Sequence, residues 1–330
     1  MNTRPQDMPD SGSEPFAETI QLTAPGPFSF SETMAYLTRS PHECMYTVID
    51  GRRIRKLLKA ERETVLVEIG EGADGAALSI RWVDSPPLSR AARDAVVRYV
   101  REWLDLDTDM TPFYRMAEGD ALLGGPVRDH AGLRLAGIPD LFEALCWAVI
   151  GQQINLTFAY MLKKRLVETF GRSMTFEGRP YWLFPRPEEI AATDVADWKK
   201  LQFTGKKAEY IIGIARLMES GALSKEQLLS AALPGESAFQ AAERQLQAIR
   251  GIGPWSAHYV LMRCLRDRSA FPIGDAGLHN ALKRLMNRKE KPELSEIRRL
   301  FGAYRGWEAY AVFYFWRFLQ AAEAKPGLGG

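Results

Sequence analysis

The stretch LQAIRGIGPWSA, from Leu246 to Ala257, constrains the fold of this chain more than any other segment. It predicts two helices joined by a tight hairpin at Gly251, Ile252 and Gly253. Glycine permits positive φ and lets the backbone approach a partner more closely than a side chain would allow. Amides at the hairpin and at the start of the second helix then face outward without helical partners, which makes a site for a phosphate oxygen.

A lone aspartate, Asp275, follows this hairpin in the segment AFPIGDAGL, just past a loop rich in proline and glycine. It could simply be the N-cap of the next helix, because aspartate is a preferred residue there. The hairpin itself is equally compatible with an ordinary helical connection or a non-enzymatic DNA clamp. Together, a DNA-gripping hairpin and a nearby carboxylate favour an enzyme that acts on nucleotides.

Length and charge limit the class of protein. The 330 residues predict two or three domains, and a hydrophobic fraction of 46% is ample for their cores. The formal net charge is only +2, so we expect contact with nucleic acid through a local patch and backbone amides. No apolar run approaches membrane-spanning length, and the polar N-terminus lacks the apolar centre of a signal peptide.

The three cysteines, Cys44, Cys146 and Cys264, are odd in number and far apart, which argues against a disulfide framework. His258 and Cys264 are not accompanied by a second pair of ligands, so the sequence predicts no protein-bound metal. These features predict a reducing intracellular location, the cytoplasm.

Strand and helix patterns divide the chain near Asp107. Residues 1–20 are predicted to be a flexible tail, and residues 21–107 a small α+β domain. Its strands are expected at CMYTVID, ETVLVEIG and AALSIRWV, and its first helix at FSFSETMAYLTRS with Ser31 as N-cap. From Thr108 onward the strand pattern disappears, and YWLFPRPEEIAA is interpreted as a loop and a short helix. The sequence thus predicts an all-α body with the N-terminal domain as an appendage.

Four segments occur in the order and near the spacing found in one family: AVIGQQINLTFAY, LQAIRGIGPWSAHYVL, FPIGDAGL and YRGWEAYAVFYFWR. They resemble the helix-hairpin-helix DNA glycosylases, in particular the AlkA-type DNA-3-methyladenine glycosylase II, over residues 27–320. The resemblance implies a mostly α fold with an α+β N-terminal domain that carries a small antiparallel sheet. It further implies a helical domain with the hairpin at 140–267, a second at 108–139 and 268–320 completing the active-site cleft, and a tail at 321–330.

The resemblance assigns Asp275 as the catalytic aspartate. Trp255 stands where bifunctional relatives carry a lysine that attacks the sugar and goes on to cleave the strand. Because an indole has no nucleophilic amine, the chain is expected to be monofunctional, hydrolysing the glycosidic bond and leaving an abasic site. The absence of a C-terminal cysteine set also separates it from the iron–sulfur branch of the superfamily.

Trp316 matches a tryptophan that lines the base pocket, with Trp255 and Tyr259 as its aromatic neighbours. Without the resemblance, Trp316 within AVFYFWRF would be interpreted as a core residue. An aromatic pocket suits purines made cationic by N3- or N7-methylation, since ring faces attract cations. The expected activity is therefore excision of 3-methyladenine and 7-methylguanine from duplex DNA.

Gln152 and Gln153 match the loop where the family places a residue that fills the gap left by the flipped base. Some relatives use leucine at Gln153, and a polar turn residue remains an alternative. Ala276 and Arg317 depart from the tyrosines of some relatives, which would reshape the pocket wall.

Three basic side chains are candidate phosphate contacts, although charged helix faces are usually only solvated: Lys206, Lys207 and Arg263. In the family, hairpin carbonyls can hold a monovalent cation that bridges to DNA, and here these would be Gln247, Ile249 and Ile252. No other cofactor is expected. The chain is expected to act as a monomer at the nucleoid. A bifunctional glycosylase/lyase and a non-enzymatic damage-binding protein stay open as alternatives.

Overall fold

The computed structural model describes residues 19–72, 77–230 and 232–324. Most of the two predicted tails lies outside these ranges. Residues 19 and 20 belong to the first strand and residues 321–324 complete the last helix, so the structure does not place these residues in a tail.

A five-stranded antiparallel sheet with two helices forms the N-terminal domain, and its strand order is β1-β5-β4-β3-β2. The strands are β1 Thr19–Thr23, β2 Thr47–Ile49, β3 Arg53–Ala60, β4 Glu63–Glu71 and β5 Ala77–Trp82. The helices are α1 Phe30–Leu37 and α2 Arg90–Leu104. The N-cap of α1 is Ser29, whose side chain accepts the amide of Glu32, and not Ser31 as predicted.

The strand β3 was not expected from its sequence, RIRKLLKA, because it carries four basic residues in eight positions. Two of them, Arg53 and Arg55, donate hydrogen bonds at 2.7 and 2.8 Å to Glu68 on the neighbouring strand β4. Such cross-strand pairs stabilise a sheet, so the charges are compatible with a strand position.

Thirteen α-helices and a short 3₁₀ turn follow in the described part of the chain. They are α3 Thr111–Ala117, α4 Gly124–Asp129, α5 Leu141–Ile150, α6 Leu156–Phe170, α7 Pro187–Ala191, α8 Val195–Lys200, α9 Gly205–Glu219, α10 Lys225–Ser230, α11 Ala238–Ala248, α12 Pro254–Arg263, α13 Ala276–Leu285, α14 Leu294–Phe301, the 3₁₀ turn Gly302–Tyr304, and α15 Glu308–Ala324. None of the described helices is long and apolar enough to cross a membrane.

The prediction of an all-α body is wrong at one place, where β6 Arg172–Phe176 and β7 Arg179–Leu183 form a hairpin. Its turn residues, Glu177 and Gly178, have φ of 49° and 72°. Two successive residues of positive φ match the twist of a two-residue hairpin. The hairpin lies against the sheet of the N-terminal domain, where Tyr181 packs with Leu57 and Leu66.

The N-terminal domain is also more than an appendage. One continuous buried cluster joins Ile69 of the sheet, Leu104 of α2, Val149 of α5 and Phe313 of α15. The sheet and the helices therefore share a single core. The predicted fold class, a mostly helical glycosylase body with a small antiparallel-sheet domain, is confirmed.

Candidate active site

The Asp275 carboxylate lies at the start of α13 and accepts three hydrogen bonds. Its Oδ1 accepts the amide of Leu278 at 2.8 Å and the indole Nε1–H of Trp316 at 2.7 Å. Its Oδ2 accepts the indole Nε1–H of Trp255 at 3.1 Å. The N-cap interpretation is therefore correct, and two aromatic side chains from other helices converge on the same group.

Three aromatic rings stand beside this carboxylate. The Tyr259 ring centroid lies 5.5 Å from that of Trp255 and 6.1 Å from that of Trp316. The two indoles are partly exposed, whereas Tyr259 is buried. The three side chains predicted to line a base pocket are thus neighbours, and Trp316 is not a fully buried core residue.

Gly277 allows Trp316 to approach the carboxylate. A Cβ at this position would lie 3.0 Å from Asp275 Oδ1 and 3.2 Å from Trp316 Cδ1, tighter than ordinary van der Waals contact. The absence of a side chain on the first turn of α13 therefore leaves room for the indole to reach Asp275.

Below the rings, the Tyr259 hydroxyl accepts two hydrogen bonds at 2.8 Å, from Trp147 Nε1 and from Arg263 Nη1. The same Arg263 nitrogen also donates to the Tyr36 hydroxyl at 3.1 Å, and its Nε donates to the Ala136 carbonyl. Burial raises the pKa of Tyr259, although Arg263 lowers it, so the hydroxyl keeps its proton. Arg263 is 4% exposed, so its prediction as a phosphate contact is wrong.

The hairpin between α11 and α12 requires glycine at its first position. Gly251 has φ of +95°, and a Cβ there would meet Cγ of Tyr210 at 2.3 Å. Tyr210 lies on α9, where its neighbour Glu209 accepts a hydrogen bond from Arg250 at 2.9 Å. The α9 helix therefore supports the hairpin from beneath.

Gly253 has a different role from the one predicted, because its backbone is extended, with φ of −89° and ψ of −178°. It is the N-cap of α12 and cannot supply a capping side chain. Since Pro254 has no amide hydrogen, the helix presents the amides of Trp255 and Ser256 at its first turn. This geometry suits an anionic oxygen.

The loop after α5 is tied to the hairpin by Gln152. Its Nε2 donates to the Gly251 carbonyl at 2.8 Å and to Ser256 Oγ at 2.9 Å. Gln153 next to it is exposed and has φ of +56°. Of the two glutamines, Gln152 is thus engaged within the protein, and Gln153 projects into solvent.

Lys207 holds the same loop from the other side. Its Nζ donates to the carbonyls of Ile150 and Gln152 at 2.6 and 2.9 Å, and burial lowers its pKa. Its prediction as a phosphate contact is therefore not supported by its position. Lys206 beside it is exposed.

The hairpin also borders a surface groove of about 590 Å³ that reaches from Gln152 to Gln247. The carbonyls suggested as cation ligands belong to residues of this groove: Gln247, Ile249 and Ile252. The Ile249 carbonyl accepts the Ile252 amide at 3.0 Å, which leaves it a second lone pair. Carbonyl oxygens are suitable donors for a monovalent cation, so this residue set fits one.

The two departures from the family pattern lie near the site. Ala276 is exposed at the first position of α13. Arg317 is buried and donates through Nε and Nη2 to Glu32 Oε2 at 3.1 and 3.0 Å. His130 Nδ1 lies 2.9 Å from the same oxygen, and its pKa is lowered by burial and by Arg317.

Three residues of the site were not predicted from the sequence. Trp147 lies one helical turn before Gly151 and immediately precedes the quoted motif AVIGQQINLTFAY, so it was not singled out. Tyr36 comes from the N-terminal domain and Tyr210 from a helix outside every motif. No local pattern connects either of them to the hairpin or to Asp275.

Two protein-family models together match most of the chain. Residues 146–304 match the HhH-GPD superfamily of base excision DNA repair proteins, and residues 19–140 match the AlkA N-terminal domain. A DNA-3-methyladenine glycosylase of Bacillus subtilis is 47% identical over 92% of this chain and 97% of its own length. DNA-3-methyladenine glycosylase 2 of Escherichia coli is 26% identical over 88% of this chain and 94% of its own length.

Among solved structures, a 3-methyladenine DNA-glycosylase from Archaeoglobus fulgidus has the same fold, with a TM-score of 0.76 at 22% identity. The match covers 91% of this chain and 97% of that one. Sequence identity and coverage with the Bacillus relative are high enough to establish the relationship. The chain therefore belongs to the DNA-3-methyladenine glycosylases, base excision repair enzymes of the HhH-GPD superfamily.

Proposed function

We propose that this DNA glycosylase is monofunctional and removes alkylated purines, chiefly 3-methyladenine and 7-methylguanine, from duplex DNA. The observation that carries the proposal is the pair of indole N–H groups, Trp255 and Trp316, that hold the Asp275 carboxylate beside the Tyr259 ring. The names of the Bacillus and Escherichia relatives agree with a methylated purine as substrate.

Asp275 supplies negative charge where the reaction develops positive charge. The bond between the base nitrogen and C1′ breaks with its electron pair going to the base, which leaves an oxocarbenium-like sugar. A preorganised carboxylate stabilises such a charge without reorganising. Water then adds to C1′ and loses a proton, and Asp275 can orient this water. A cationic methylated base leaves as a neutral molecule, so the reaction does not require a strong general acid.

The aromatic side chains provide affinity for the flipped base. Trp255, Tyr259 and Trp316 offer electron-rich faces, and a cation on such a face gains about 2 kcal/mol when desolvated. Extrusion costs a few kcal/mol and is cheapest for a damaged base. Attraction to a delocalised charge, with few base-specific hydrogen bonds, gives a broad substrate range.

Several groups hold the DNA in this proposal. The hairpin at Gly251, Ile252 and Gly253 binds the phosphates on the 3′ side of the lesion, assisted by exposed Lys206. Gln153, whose side chain projects from the loop that Gln152 anchors, fills the space left by the flipped nucleotide. A monovalent cation on the hairpin carbonyls would link them to a phosphate oxygen. The enzyme would act as a cytoplasmic monomer at the nucleoid.

The substrate prediction is tested by chromatography of the bases released from a panel of duplexes, each with one defined lesion. Because the pocket favours a cation, 7-methylguanine and 3-methyladenine should be released at least about tenfold faster than neutral hypoxanthine. An uncut duplex of the same sequence with no lesion serves as the control. Faster release of hypoxanthine than of either methylated purine would reject this substrate class.

The monofunctional assignment predicts that borohydride traps no covalent complex between the protein and lesion-containing DNA. Trapping needs an amine that attacks C1′. The position at which bifunctional relatives carry this lysine is occupied by Trp255, whose indole contacts the Asp275 carboxylate. The measurement is a gel shift after denaturation, with strand cleavage scored in parallel. A trapped band that disappears in Lys207→Met would instead establish a lyase.

A further inference from the structure

A cavity of about 40 Å³ lies between the N-terminal domain and the helical body. At roughly 10–15 Å³ for each water, it has room for about three water molecules. Tyr36, Trp147 and Arg263 border both this cavity and the hydrogen-bonded floor beneath Tyr259. The active site described above does not use the rest of its lining.

Six of the seventeen residues that line the cavity are charged. Four are basic and two are acidic: Arg39, Lys56, Lys163, Arg263, Glu43 and Glu143. Lys56 and Lys163 are 3% and 5% exposed, and Arg263 is 4% exposed. The cavity therefore carries an excess of buried positive charge.

Both carboxylates are already engaged by one lysine. Lys163 Nζ lies 2.8 Å from Glu143 Oε1 and 3.7 Å from Glu43 Oε1. Glu43 Oε1 also accepts the amides of Cys44 and Met45, each at 2.8 Å. Burial would raise the pKa of Glu143, but Lys163 lowers it further, so Glu143 stays ionised.

The other three cations have only neutral hydrogen-bond partners within the described chain. Lys56 Nζ donates to the Met45 carbonyl at 3.0 Å, and Arg39 Nε donates to the Tyr160 hydroxyl at 2.7 Å. Arg263 donates to two tyrosine hydroxyls and a carbonyl, as described above. Glu143 and Glu43 attract Lys56 electrostatically, and Glu143 also attracts Arg263, but these two carboxylates are shared among four cations. A buried cation that lacks an anion of its own is costly, because burial removes it from water.

Aromatic rings compensate part of this cost. The Arg39 guanidinium carbon lies 4.0 Å from the Tyr36 ring centroid, and Lys56 Nζ lies 5.3 Å from that of Trp103. A ring face carries no net charge, so it replaces hydration less well than an anion does. Burial accordingly lowers the pKa of Lys56.

We propose that this cavity is a binding site for a small tetrahedral oxyanion such as phosphate, held by Lys56, Arg39 and Arg263. Lysine and arginine together provide point charge and paired N–H donors, the combination that phosphate oxygens require. Arg39 and Tyr46 are partly exposed and give access from the surface. The occupant would offset the positive charge of the cavity. This site is separate from the hairpin that grips DNA, and it does not depend on the proposed reaction.

The test is thermal unfolding of the full chain in inorganic phosphate against chloride at equal ionic strength. Phosphate should raise the wild-type Tm in a saturable manner, by about 5 °C at a hundredfold excess over Kd. Lys56→Met should abolish this shift, and its Tm in chloride should equal or exceed that of the wild type, because it removes one of the excess buried cations of the cavity.

Two matched variants separate the cavity from other phosphate sites. Lys206→Met removes an exposed lysine and Gly251→Ala alters the hairpin, and both should keep the phosphate shift. If Lys56→Met does not fold, Arg39→Met serves in its place and should also lose the shift. A wild-type Tm that phosphate leaves unchanged, or an equal shift in both cavity variants, would overturn the proposal.

Discussion

Replacing Asp275 by asparagine should lower the rate of base release by roughly two to three orders of magnitude, the usual effect of removing one preorganised electrostatic group. The amide has no negative charge to stabilise the developing oxocarbenium ion. Its Nδ2 is also a donor, so it cannot accept the Trp255 indole as Oδ2 does. The measurement is release of 7-methylguanine from duplex DNA in a single turnover, with protein in excess.

The Asp275→Asn variant should fold normally, so its lost activity can be separated from a loss of stability. Asparagine is as good an N-cap as aspartate, so its Oδ1 can still accept the Leu278 amide. We therefore expect an unchanged Tm and unchanged affinity for lesion-containing DNA. Release as fast as in the wild type would refute the mechanism, and a lowered Tm would show that the hydrogen bond from Trp255 also stabilises the fold.

Substituting alanine for Gly251 is the second change with a large expected effect, here on DNA affinity. Alanine at φ of +95° is strained, and its Cβ would overlap the Tyr210 ring at 2.3 Å. The hairpin must move, which misplaces its amides. Loss of one or two charge-assisted hydrogen bonds should weaken binding by about tenfold to a hundredfold. Titration of a fluorescent duplex with an abasic-site analogue measures this.

Gly253→Ala is the matched comparison, because it lies two residues away with φ of −89° and open space around its Cα. It should bind DNA more tightly than Gly251→Ala does, because alanine at this φ is unstrained and its Cβ meets no other atom of the protein. Adding Tyr210→Ala to Gly251→Ala removes the overlap and should restore part of the affinity. If both glycine variants bind equally well, the hairpin does not grip DNA in the proposed way.

The segments around the hairpin and Asp275 could be predicted from the sequence, because the residues that determine their backbone geometry are close together in the chain. Gly251, Pro254 and Asp275 each specify backbone geometry within a few residues, and the quoted segments fix their order. The β6–β7 hairpin was missed because its turn is Glu177–Gly178, in which glutamate adopts positive φ without being a typical turn residue. Strand β3 was missed because the partner of its arginines, Glu68, lies on another strand.

The misassigned basic residues have a different cause. Lys207 and Arg263 have the basic side chains that commonly contact phosphates. The sequence does not show how deeply a given helix face is buried. In the structure one holds the loop of Gln152 and the other holds the hydroxyl of Tyr259. Both act on groups of the site through hydrogen bonds inside the protein, which only the tertiary arrangement of the helices determines.

The hydrogen bond from Arg263 to Tyr36 has a consequence for how such enzymes change through evolution. Tyr36 belongs to the N-terminal domain, whereas Tyr259 and Arg263 belong to the helical body. A shorter glycosylase without that domain must obtain the floor of its pocket from another segment. Loss or replacement of the sheet domain would then change the hydrogen bonds around the Tyr259 hydroxyl, even if every residue of the hairpin and of α13 were retained.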